Sequence, residues 1–154
     1  MSLKSSDVWM IGVAGIVLKG DLVLLIKRGV EPKKGYWAFP GGYVKRDETT
    51  RSAVRREVLE EAGVDSEILG VIDMCEFPPY GTSTYITFLT KHVRGDPRPG
   101  SDAAEARWFT FKEAQELGSV TSLTKLLVSK VAKRDYSLIQ AHTIEDVTTS
   151  GDCE

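Results

Sequence analysis

Hydrophobic positions follow two rhythms along this chain of 154 residues. From Val8 to Leu18, and again from Leu22 to Lys27, they run almost unbroken around Lys19-Gly20-Asp21. That is the pattern of two buried strands joined by a tight hairpin turn. The stretch up to Arg46 is rich in Gly, Pro and Lys and predicts a loop. Helical spacing then takes over from about Glu48 to Ala62, with Val54, Val58 and Ala62 on one stripe and Gly63 where the chain must leave the helix. β-Branched and aromatic residues return at Ile68 to Phe77 and at Thr82 to Val93, on either side of the turn Pro78-Pro79-Tyr80-Gly81. After a loop at Gly95 to Gly100 come a short strand over Glu105 to Phe109, a short helix over Lys112 to Leu117 and an amphipathic helix over Ser122 to Lys133. The order implies a mixed sheet in one domain over residues 8–140, between a flexible lead (1–7) and a polar tail (141–154). No internal repeat is visible.

Composition leaves this picture intact and removes several functions from it. Hydrophobic residues make up 42% and charged residues 27%, an ordinary globular balance. Twenty Lys and Arg against 22 Asp and Glu give a net charge of −2, so no overall positive field favours long nucleic acid. Cys75 and Cys153 are too few for a disulfide framework and read as free thiols of a reducing, cytoplasmic compartment. His92 and His142 supply neither a zinc cluster nor much material for a nucleophilic triad. The run from Val8 has the length of the apolar part of a signal peptide, but Gly12, Gly15 and the hairpin turn fit a strand better. No run approaches the roughly 18 apolar residues that span a bilayer, so no membrane partner is expected.

The stretch from Gly42 to Val64, GYVKRDETTRSAVRREVLEEAGV, carries the chemistry. Glu57, Glu60 and Glu61 stand at i, i+3 and i+4 of the predicted helix, which puts three carboxylates on one face. Their mutual repulsion destabilises a helix unless a cation offsets it, and magnesium takes such oxygen ligands together with substrate phosphates. An acidic helix face alone is most often only solvated. Pro40-Gly41-Gly42 presents backbone that can approach an ion or phosphate unobstructed. Arg56 and Glu48 are expected to pair and brace the metal-binding acids.

Nine restricted positions at fixed spacing (Gly42, Glu48, Arg56, Glu57, Val58, Glu60, Glu61, Gly63, Val64) match by chance at roughly one in 10⁹ starting points. The stretch resembles the Nudix box at every position. The resemblance implies an α/β (α+β) fold of the Nudix type, an α/β/α sandwich with a central mixed sheet. It also implies hydrolysis of a nucleoside diphosphate linked to another group, with Mg2+ or Mn2+. Carried over, it makes Glu57, Glu60 and Glu61 metal ligands, adds the carbonyl of Gly41, and lets one glutamate activate water. Glu105 is the candidate for a base outside the box, against the reading of an exposed strand-edge acid. Many relatives are homodimers, so a homodimer is one expectation.

The segment from Lys27 to Gly42 resembles short prokaryotic ADP-ribose pyrophosphatases of that family, and Pro79 lies where such enzymes often carry a proline. A small nucleotide is then the expected partner and ADP-ribose the expected substrate. A MutT-like nucleoside triphosphatase and a regulatory module that binds without cutting are the alternatives. Lys27 or Arg28 can contact a phosphate or lie solvated at a strand end. Tyr36, Trp37, Phe77 and Tyr80 are candidates to stack on a base, with a core role the competing reading for Trp37.

Overall fold

The computed structural model describes residues 10–76 and 83–144. The elements run β1 (Met10–Lys19), β2 (Leu22–Arg28), β3 (Trp37–Ala38), β4 (Gly41–Tyr43), α1 (Thr50–Ala62), β5 (Asp65–Glu76), β6 (Ser83–Arg94), β7 (Ala103–Thr110), α2 (Phe111–Glu116) and α3 (Ser122–Ala132). The strands share one sheet of order β3-β2-β1-β6-β5, with β4 paired to β1 and β7 to β2. Only β1 and β6 run parallel; the other named pairs are antiparallel, so the sheet is mixed. The predicted lead, the Pro78–Gly81 turn, Phe77, Tyr80 and the end of the tail fall outside the described residues.

β1 and β2 are buried on both faces, which is why their apolar runs are continuous rather than alternating. Their odd and even positions feed two cores. Val13, Val17, Leu24 and Ile26 pack with Ala53, Val54, Val58 and Ala62 of α1. Ala14, Ile16, Val23 and Leu25 pack with Trp37, Phe39, Phe109 and Leu127, Val128 and Val131 of α3 on the other face. Each buried Val or Leu contributes roughly 1.5–3 kcal/mol of transfer free energy, so the two cores hold α1 and α3 against opposite faces. The result is the expected α/β/α sandwich.

α1 starts two residues later than Glu48. Thr49 caps it, its side chain accepting the Ser52 amide at 3.1 Å, while Glu48 accepts the Lys45 amide in the preceding turn. At the other end Gly63 adopts φ 69° and ψ 17°, the left-handed exit that only glycine adopts at little cost. The segment after β6 then ties that exit down: Arg98 donates its amide to the Ala62 carbonyl and Gly100 to the Glu61 carbonyl. β3 and β4 were expected as loop. They are two and three residues long, too short to show alternation, and form because β1 and β2 pair only near their hairpin and leave their other ends open.

Candidate functional site

The short strand β4 places the glycine turn against α1. Gly42 pairs with Val13, and a Cβ built on Gly42 would come within 2.6 Å of the Glu57 carboxylate. Any side chain there would displace the acid. The Gly41 amide donates to Glu61 Oε1 at 3.1 Å, so turn and helix are joined directly at the carboxylates.

The three glutamates do not behave alike. Glu61 is 8% exposed and its carboxyl is in hydrogen-bond contact with that of Glu57. Burial pushes Glu61 up to about 8; the neighbouring Glu57 adds to the rise, and the Gly41 amide and Arg28 oppose it. Glu60, its side chain 44% exposed, turns toward Arg56 at 3.2 Å. Among the described residues no three acidic, histidine or cysteine side chains converge on one point. The expected triplet is a close pair with a third acid one turn away. The pair fits a divalent cation: two carboxyls are held together, one of them buried, and repulsion is relieved by a proton in the absence of an ion.

Arg56 is the brace. It donates Nε and Nη2 to Glu48 at 3.1 and 2.6 Å, Nη1 to Glu57 at 2.7 Å and Nη2 to the Tyr43 carbonyl at 3.2 Å. One guanidinium therefore fixes the turn, the helix start and the acid face. The same forked contact holds Glu48 at about 2, well below the usual carboxylate range. Arg28 donates Nε to the Pro32 carbonyl at 2.7 Å, and its charge reaches both Glu61 and Tyr85.

Four expected residues have partners of their own. Glu105 pairs with Lys27 across β7 and β2 at 3.4 Å. Ala106 and Trp108 pack toward α1, and strand alternation turns Glu105 to the other face of the sheet. The two side chains form a cross-strand ion pair that stays part-exposed, at 38% and 46%. Trp37 is 6% exposed, edge-on to Phe109 at 4.9 Å with Arg107 over its ring, so its faces are occupied and it is a core residue. Tyr36 is half-buried beside Lys33. Two other aromatics stand near the turn, Tyr43 on β4 and Tyr85 on β6, their rings 6.1 Å apart. Neither has a local signal; only the strand register brings them together.

Comparison with known proteins agrees with this geometry. The NUDIX domain family model matches residues 9–128. An ADP-ribose pyrophosphatase of Methanocaldococcus jannaschii is 37% identical over 110 residues, covering 70% of this chain and 65% of that protein. The chain thus spans under two thirds of that relative's length. A MutT-like protein of Streptomyces ambofaciens is 32% identical over 106 residues, 69% of this chain and 67% of that one. The crystal structure of a NUDIX hydrolase from Nitrosomonas europaea superposes with a TM-score of 0.73 at 26% identity, covering 86% of this chain and 76% of that one. The chain belongs to the Nudix hydrolase family, whose members generally use divalent metal ions. No helix among the described residues is long and apolar enough to cross a membrane.

Proposed function

We propose that the protein hydrolyses the diphosphate bond of a nucleoside diphosphate derivative, with ADP-ribose cut to AMP and ribose 5-phosphate. The observation that carries this reading is the buried Glu61 held against Glu57 beside the Gly41–Gly42 turn. Glu57 and Glu61 would hold Mg2+, or Mn2+, with Glu60 and the Gly41 carbonyl completing the ligand set. Such an ion neutralises phosphate charge and makes a bound water more acidic.

The remaining work falls to the chain itself. Arg56 fixes the carboxylates in place through Glu48, Glu57 and Glu60, since phosphoryl chemistry depends chiefly on positioning and charge neutralisation. Arg28 would meet a phosphate oxygen of the substrate, a role supported by the effect of its charge at Glu61. The proton of the attacking water goes to a glutamate, either one of the box or Glu105 outside it. A cytoplasmic, small-molecule role fits this reading.

ADP-ribose is favoured by the relative in Methanocaldococcus jannaschii. The MutT-like relative favours a second reading, removal of pyrophosphate from a nucleoside triphosphate. Incubation with Mg2+ and a panel of ADP-ribose, NADH, diadenosine polyphosphates and nucleoside triphosphates separates them. AMP with ribose 5-phosphate is the expected product pair. Pyrophosphate released from a triphosphate instead supports the second reading, and binding without products supports a regulatory module.

A further inference from the structure

The acid pair stands at one end of a row that continues across the sheet. Gly41, whose amide holds Glu61, faces Ala14 on β1; Ala14 faces Thr87 on β6; Thr87 faces Asp73 on β5. Residues in register on neighbouring strands share a face. This row lies on the face of Ala14 and Leu89, opposite α1. Three strand spacings of roughly 4.8 Å put Asp73 about 14 Å from Gly41, about the span from a diphosphate to the far end of a nucleoside or sugar.

The next row runs parallel to it through Tyr43, Gly12, Tyr85 and Cys75. The Tyr85 ring lies over Gly12, where a Cβ would come within 2.5 Å of it. Tyr43 is 44% exposed, and its ring is tilted 57° to that of Tyr85, so a half-buried ring backs an open one. An open aromatic ring held rigidly by a neighbour can take a planar group.

Among the described residues, two buried atoms of the first row have no hydrogen-bond partner: Thr87 Oγ1, on a residue 0% exposed, and Asp73 Oδ2. Unpaired polar atoms of this kind are rare because burying them unpaired is costly. A carboxylate accepts only, so the ligand group that completes it must donate. We infer that Asp73 and Thr87, walled by Tyr43 and Tyr85, form the subsite that reads the donor-bearing end of the group carried by the diphosphate. This deepens the hydrolase reading above and rests on it. The donor is either an amino group on the base or the hydroxyls of the terminal sugar, and Asp73 is a specificity residue that stands clear of the metal-binding acids.

The test compares wild type, Asp73→Asn and Thr87→Val on ADP-ribose, on its hypoxanthine counterpart, which lacks the base amine, and on an alkyl ester of ADP, which lacks the terminal sugar. Asp73→Asn is expected to raise KM for ADP-ribose about 10- to 100-fold, with kcat within about threefold of wild type. On the analogue that lacks the donor, variant and wild type have equal KM, which tells base from sugar. Thr87→Val is expected to show the same substrate pattern with a smaller rise, and guards against misfolding in either variant. Unchanged KM for both variants on all three substrates overturns the inference alone, as does an equal rise on all three. A wild type inert toward the whole panel overturns the hydrolase reading and the inference together.

Discussion

Burying Glu61 beside Glu57 makes a proton and a metal ion compete for one place. In the folded, metal-free protein Glu61 titrates near 8, against 4.5 in the open chain. The folded state therefore binds the extra proton between those values. Stability of the metal-free protein is expected to fall as pH rises from about 4.5 to about 8. Thermal midpoints measured in chelator across that range check the sign. Glu48 acts in the opposite sense: held at about 2, it loses its stabilising contact with Arg56 only as pH falls below 4.5 toward 2. Glu61→Gln removes the titration and should flatten the upper part of the profile. In the loaded enzyme, Glu57→Gln or Glu61→Gln is expected to lower turnover at least ~100-fold with the fold intact by circular dichroism; wild-type rates in either variant would falsify the assignment of these acids.

At the scale of elements, α1 was legible because its signals are local. The stripe of Val54, Val58 and Ala62 and the exit at Gly63 all lie within one helix length of one another, and each takes its expected place. Gly63→Ala would force a Cβ into the left-handed region and is expected to cost about 1 kcal/mol, read as a lower midpoint in urea with an unchanged slope. The placement of Glu105 was not legible, since the segment Ala-Glu-Ala-Arg-Trp-Phe buries Ala106 on one face and Phe109 on the other. With apolar side chains on both faces, alternation alone does not say which way an acid points. Trp37 was ambiguous for a related reason: β3 is two residues long, and its burial depends on Phe109 and α3, far along the chain. Tyr43, Asp73, Tyr85 and Thr87 come together only through the register of four strands, which no single stretch of sequence encodes.

For the whole molecule, the two cores clamp one sheet between α1 and α3, and the acid pair sits where α1 meets β4. The family resemblance was visible in 23 residues, from Gly42 to Val64, because the box holds both the ligands and the turn that seats them. A metal that binds only the folded chain must stabilise it, by about 2.7 kcal/mol at a hundred times its dissociation constant. Mg2+ is expected to raise the thermal midpoint in wild type and to leave Glu61→Gln almost unmoved. Calorimetry in buffers of different ionisation enthalpy should detect a proton released on binding near pH 7.

The amides of Arg98 and Gly100 donate to carbonyls at the last turn of α1, the turn that bears Glu60 and Glu61. A helix end usually frays first, yet here opening it requires a segment from the far side of β6 to let go as well. A Cβ at Gly100 would meet the Glu60 carbonyl at 2.3 Å and push the two apart. Gly100→Ala should therefore speed amide exchange at the end of α1 and weaken Mg2+ binding, although residue 100 touches no ligand. Affinity for the ion is in this sense rented from a distant loop, and evolution could tune turnover there while every carboxylate stays unchanged.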